Sequence, residues 1–246
     1  MSFVDEYLLR KIVGAPSKTP KETLYLETGC KPLKFIVKKR RLMYLHHILK
    51  RKDDELIHKF YKAQKLKPSK NDWVVTIEED KKYLDIKMED NDIRKLSKYK
   101  FKQILNEKIK EHSFKFLIKK KESHSKTENL IYDKLEIQSY LKSDSKLSNE
   151  QKQLLFKFRT RMIDLKTNYR NKYFDLSCQL GCGSVENQIH LFQCEVLINK
   201  CEDLANNVKV EYEDIFGDIT RQIDAIKLLT KIWNIRDNIL ETSAQS

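Results

Sequence analysis

The chain has 246 residues, of which 40% are hydrophobic and 35% charged, and 49 Lys+Arg against 36 Asp+Glu leave a formal net charge of +13. That length can bury a real core in one large or two modest domains, while the charge content favours thin helical layers with wide wet faces over a compact enzyme core. Five glycines and four prolines, with no glycine between Gly29 and Gly181, exclude the turn-rich sandwiches, barrels and Rossmann folds, and no apolar run approaches the roughly 18–20 residues of a membrane span.

In chain order, Thr19-Pro20-Lys21-Glu22 predicts a helix start, with Thr19 as cap, Pro20 at the first helical position and Glu22 closing a capping box. That helix runs through Leu24 and Leu26 and stops at Gly29, which can turn left-handed. A second helix starts at Pro32, with Phe35, Ile36, Leu42, Leu45, Ile48 and Leu49 at helical spacing and Lys38, Lys39, Arg40 and Arg41 between them. Asp53 or Asp54 is expected to cap a helix through Leu56, Phe60 and Ala63 that Pro68 ends, and Asn71 or Asp72 opens the next, with Trp73, Val74 and Ile77. From Asp92 to Lys121 a long periodic stretch carries Ile93, Leu96, Tyr99, Ile104, Leu105, Ile109, Phe116 and Leu117 without a glycine or proline. Residues 123–129 and 143–148 read as polar loops. Ser148-Asn149-Glu150-Gln151 is a second capping box, opening a helix through Leu154, Leu155, Phe158 and Met162. After Asp218 a final helix carries Ile223, Ile226, Leu229, Ile232, Ile235 and Ile239.

Charge is unevenly placed. The first 170 residues hold 42 Lys+Arg against 24 Asp+Glu, and the remainder holds 7 against 12. A basic body of this kind suits a polyanion, nucleic acid being the commonest, although a lysine-rich solvated helical surface gives the same count. Five cysteines, four of them between residues 178 and 201, point to metal binding in a reducing compartment rather than a disulfide framework. With no signal peptide legible at the start, the expected location is intracellular, nuclear or cytoplasmic.

Cys178, Cys182, His190 and Cys194 are spaced C-x3-C-x7-H-x3-C. Zinc takes four such donors in a tetrahedron. The first pair fits a tight knuckle that Gly181 and Gly183 allow, and Ser184 is expected to cap a helix carrying His190 and Cys194 four residues apart on one face. Three thiolates and an imidazole leave no position for water, so one structural zinc is expected. Cys201 is the alternative to Cys194, the plain alternative for the cluster is small buried hydrophobes, and Cys30 reads as a buried free thiol.

The run Phe158-Arg159-Thr160-Arg161-Met162, followed by Asp164-Leu165-Lys166, Asn168-Tyr169 and Lys172-Tyr173 and then CQLGCGSVENQIHLFQC, resembles the C-terminal region of non-LTR (LINE-type) retrotransposon reverse transcriptase polyproteins. Gly14 to Pro20, Leu24 to Gly29, Arg40 to Leu49, Ala63-Gln64 and Asp72-Trp73 resemble the segment following the polymerase, so the likeness extends over nearly the whole chain. Two departures stand out: three residues rather than four separate His190 from Cys194, and no aromatic-x-Asp-Asp hairpin is present to bind the two metals of nucleotidyl transfer. Asp53-Asp54 follows Arg51-Lys52 and reads as a helix cap, and Asp90-Asn91-Asp92 reads as a helix start. No endonuclease half and no phosphate-binding glycine loop is legible either. The resemblance implies a truncated or domesticated remnant, not an enzyme, that binds RNA or DNA and has no small-molecule substrate. Its expected architecture is mainly α: a bundle-like basic body over residues 1–147, like the thumb or connector after a polymerase, then a CCHC zinc module and C-terminal helix over 148–246. The expected phosphate contacts are Lys38, Lys39, Arg40, Arg41, Lys119, Lys120, Lys121, Arg159 and Arg161, with Tyr173, Phe174 and Phe192 either stacking on bases or packing around the metal. Replacing residues 38–41 together is expected to leave folding intact. The competing expectation is a zinc-stapled structural or protein-interaction module.

Overall fold

A computed structural model describes residues 2–201 and 210–245. The protein is mainly helical, and among the described residues it has no strand, only isolated bridges at Thr28–Ile137 and Ser177–Val185. Its helices are α1 (Ser2–Val13), α2 (Lys21–Thr28), α3 (Leu33–Leu49), α4 (Leu56–Leu66), α5 (Trp73–Tyr83), α6 (Asp90–Lys95), α7 (Lys98–Lys121), α8 (Asn149–Arg159), the one-turn α9 (His190–Gln193) and α10 (Glu195–Ile198), and α11 (Ile219–Gln245). None of them is long and apolar enough to cross a membrane.

The chain forms two compact units, one spanning residues 30–118 and the other 3–29 together with 119 onward. The boundary read from the sequence at 147/148 falls inside the second unit.

In the first unit α3 is the central helix, packed on α4, α5 and α6. Phe35, Leu42, Leu45, Ile48 and Leu49 form its buried stripe, meeting Ile77, Leu84, Ile93, Phe101 and Leu105. The basic run divides by helical phase. Lys38 and Arg41, three residues apart, face α5, where the buried carboxylate of Asp80 accepts from Lys38 Nζ at 2.5 Å and from Arg41 Nε and Nη2 at 2.6 and 2.9 Å. Two details differ from the sequence reading. The expected continuous stretch from Asp92 breaks at Leu96, whose ψ of 145° is extended, because Ser97 Oγ caps the next helix by accepting from Lys100 N. Neither Asp53 nor Asp54 is the N-cap of α4, which is Glu55; Asp53 instead pairs with Arg94 at 2.8 Å and Lys62 at 3.2 Å. Asp72 does stand at the N-cap of α5.

The second unit joins both ends of the sequence. Gly29 ends α2 in the left-handed conformation at φ 67°, and a β-carbon there would lie 2.3 Å from Ile137 N, so both the turn and the close approach require glycine. Pro20 rather than Thr19 is the N-cap of α2; the Thr19 hydroxyl is buried without a hydrogen-bond partner, because the helix begins one residue too late for it to reach. The Ser148–Gln151 capping box forms as the sequence implies, and Asp218 Oδ1 accepts from Thr220 N and Arg221 N to start α11. Along α11 the buried residues Ala225, Ile226, Leu229 and Ile232 meet Leu155, Phe156 and Phe158 of α8 in one core.

A buried ionic pair holds α2 to α8. Glu27 is fully buried and receives Arg159 Nη2 and Nε at 3.1 and 3.2 Å, Tyr132 Oη at 2.6 Å and Tyr140 Oη at 2.5 Å. Arg159 Nη1 also donates to Ile215 O at 2.9 Å. Every oxygen of the carboxylate is thus answered, which is the condition for keeping a charge out of water.

Candidate metal centre

The segment between Leu176 and Val185 folds back on itself through two left-handed glycines, Gly181 at φ 82° and Gly183 at φ 81°, both with open space where a β-carbon would stand. Cys178 N donates to Ser184 O at 2.7 Å, Gly181 N to Cys178 O at 3.0 Å and Leu180 N to Cys178 Sγ at 3.4 Å. The result is a knuckle that turns the sulfurs of Cys178 and Cys182 to the same side.

The second pair of donors arrives differently from the sequence reading. Ser184 does not cap a helix. Asn187 Oδ1 accepts from His190 N at 2.8 Å and starts the single turn of α9, and Cys194 stands in extended backbone between α9 and α10. Proximity therefore comes from a kinked pair of short helices, not from two positions on one helical face.

The four donor atoms all lie within 4.8 Å of one another. Cys178 Sγ is 4.0 Å from Cys194 Sγ, Cys194 Sγ is 3.9 Å from Cys182 Sγ, and Cys182 Sγ is 3.2 Å from His190 Nε2. A zinc tetrahedron with Zn–S bonds of about 2.3 Å has S···S edges of about 3.8 Å, so a single ion fits among them. Cys178, Cys194 and His190 are buried, and Cys182 is half-buried. Burial lowers the His190 pKa against the opposing charge of Glu186, which favours the neutral imidazole that ligates. Burial also pushes the Cys178 thiol up. At Cys182 burial is outweighed by hydrogen bonds from the Ser184 amide, from Cys178 and Cys194 and from the Ser184 hydroxyl, so its pKa falls and the thiolate is favoured. Cys201 is buried in the apolar core and is not one of the clustered donors. Cys30 is exposed, not buried as expected, because it follows the turn at Gly29.

One residue within the cluster's own loop went unread in the sequence. Glu186 is fully buried; its Oε2 accepts from Lys166 N at 2.9 Å and Gln179 Nε2 at 3.0 Å, and its Oε1 pairs with Arg236 of α11 at 3.0 Å. Gln188 donates to Phe158 O at 2.5 Å and accepts from Tyr212 Oη at 2.9 Å. These bonds fasten the stretch between Cys182 and His190 to α8 and α11. The legible signal was phase: Arg236 stands on the stripe of Leu229 and Ile232, where a charge requires a buried partner.

The expected phosphate contacts scatter. Arg159 cannot reach a phosphate as expected, since it is only 4% exposed and its guanidinium is committed to Glu27 and Ile215 O. Lys38 and Arg41 are engaged by Asp80, whereas Arg40 is exposed. Lys39 is half-buried, its pKa lowered first by burial and then by Lys102 and Lys31. Lys119 and Lys120 are exposed at the end of α7, and Lys121 is half-buried. Arg161 is half-buried and meets Glu128 at 3.4 Å. Of the three aromatics, Phe192 packs edge-on to Phe158 in the core, Tyr173 is half-buried and Phe174 is fully exposed.

The fold and the site define a class: a mainly α protein with a Cys3His cluster able to bind a metal ion, placed before a long C-terminal helix. No protein-family model, no curated protein and no solved structure matches the chain.

Proposed function

We propose that this chain is a non-catalytic nucleic-acid-binding protein stapled by one structural zinc ion, and that its counterpart is the region after the polymerase of LINE-type reverse transcriptase polyproteins. The observation that carries the proposal is the closed donor set: three sulfurs and one imidazole nitrogen at tetrahedral edge lengths, in a loop with hydrogen bonds to the surrounding core. Soft thiolate donors in a four-fold cage select zinc over the oxygen-loving Mg2+ and Ca2+. Bound there, zinc supplies cross-linking and charge neutralisation, with no coordination position left over for a reacting water.

The nucleic-acid part is supported by the charge division, 42 basic against 24 acidic residues before Asn171, and by the free placement of Arg40, Lys119 and Lys120 on the surface. The non-catalytic part is supported by the missing aromatic-x-Asp-Asp motif and by Asp53, the nearest such carboxylate, being held by Arg94 and Lys62. The test is a salt titration of binding by the full chain. Affinity for RNA and DNA is expected to fall linearly on a log–log plot, with a slope of roughly −0.7 per neutralised phosphate on single strands and −0.9 on duplex. Primer extension with Mg2+ or Mn2+ is expected to yield nothing. Binding that is feeble and indifferent to salt would reject the proposal in favour of an interaction module.

A further inference from the structure

Within the second unit, the loop that carries the metal donors also forms part of a large open cavity of about 970 Å3, to which it contributes Val185, Asn187, Gln188 and Ile189. That volume is at the upper end of the range for ligand pockets, but its lining is unlike the usual apolar one. Among the described residues, five cations line it, Lys18, Lys126, Arg161, Arg170 and Lys172, against one carboxylate, Glu128. One acid cannot neutralise five bases, so the cavity carries a net positive field that its low-dielectric walls concentrate.

Two further features show that the positive charge is built in. Lys126 donates to Asn168 O and lies 4.5 Å over the ring of Tyr169, a half-buried place where burial and then the charge of Lys18 both lower its pKa. Arg161 ends α8 in the left-handed conformation, at φ 53°, with Arg161 N and Met162 N returning to Phe158 O and Lys157 O. Glycine is the default there, because the β-carbon of an L residue crowds the following carbonyl oxygen. Asp85 and Lys146 share that conformation elsewhere in the described chain, but Arg161 is the one of the three that lines the cavity. Next to the cavity residue Lys172 come the half-buried Tyr173 and the fully exposed ring of Phe174.

We infer that this cavity is a binding site for single-stranded nucleic acid, in which the five cations take successive phosphates and Phe174 stacks on an unpaired base. A duplex offers phosphates but no free base face, whereas aromatic stacking is the common currency of single-strand binders. The inference rests on the proposed nucleic-acid function and gives it a location. It also ties the site to the donor cluster, since Val185, Asn187, Gln188 and Ile189 of the segment between Cys182 and His190 line the cavity.

The test is fluorescence anisotropy of the zinc-loaded full chain with a 12-nucleotide single-stranded RNA and a 12-base-pair DNA duplex. The triple variant K18A/R170A/K172A removes three exposed cavity cations, and R40A/K119A/K120A removes three exposed cations elsewhere. The cavity variant is expected to weaken RNA binding at least tenfold more than the other and to flatten its salt slope by about 2. F174A, which alters a fully exposed ring and spares the fold, is expected to lose about tenfold on RNA and nothing on the duplex. Equal losses from the two triple variants, or unchanged RNA affinity in F174A, would overturn the site while leaving the nucleic-acid function standing. Absence of binding to either probe by the unmodified chain would overturn both.

Discussion

The two units of this protein use charge in opposite ways. In the first, the core of α3, α5 and α7 is apolar, and the ionic contacts on Asp80 are made by a lysine and an arginine that still reach solvent. In the second, irregular segments occupy much of the chain, and fully buried carboxylates, Glu27 and Glu186, bind Arg159 and Arg236 deep in the core beside a cluster of metal donors. Long helices satisfy their own backbone and need only an apolar stripe. Loops such as 122–147 and 160–189 do not, and they are held by side chains that reach across the chain. The second unit therefore adds a few specific buried polar bonds to its apolar core, whereas the first relies on distributed burial.

The largest expected effect follows from the proposed zinc. Structural zinc in small modules is worth on the order of 10–16 kcal/mol in apparent binding, so chelation, or Cys182→Ser, is expected to unfold the segment around residues 177–201 and loosen its docking on α11. Hydrogen exchange is expected to show protection lost there and retained in α3, α5 and α7. Uniform loss across both units would break the distinction between them.

Next in size are the buried pairs. Removing one partner leaves a buried charge unanswered, at about 3–5 kcal/mol, so Glu27→Ala or Arg159→Ala is expected to lower the unfolding free energy from denaturant titration by that much. The double variant is expected to be less damaging than the sum of the two. Additive losses would mean the pair does not act as a unit.

Smaller still is Asp80→Ala, at about 1.5–3 kcal/mol, because its partners recover water when released. The same geometry overturns the expectation that replacing residues 38–41 together leaves folding intact, since Lys38 and Arg41 anchor Asp80. Arg40→Ala alone is expected to change stability by less than about 0.5 kcal/mol, by thermal denaturation.

Much of this was legible in the sequence, and what was not has a physical reason. The helices α3, α5, α8 and α11 announced themselves by apolar period and caps, and the metal donors by spacing and glycines. The way the donors converge was not legible, because i, i+4 spacing reads as a helix face whether or not a kink intervenes at Cys194. Nor was the pairing of α2 with α8, since Glu27 and Arg159 are 132 residues apart and each looks like surface charge. Their place on apolar stripes, Glu27 three residues after Leu24 and Arg159 four after Leu155, was the only local sign. Charge runs misled for the same reason: Lys38 to Arg41 reads as one basic patch, and helical phase splits it in two.

Whether the Cys3His cluster is one closed metal site is tested most directly by metal content together with the absorption spectrum of the cobalt-substituted full chain. The expected result is one zinc per purified chain, displaced by Co2+ with intense tetrahedral ligand-field bands and thiolate charge-transfer absorption that Cys182→Ser alters. Far less than one metal per chain, or a weak octahedral cobalt spectrum unchanged by that substitution, would contradict it.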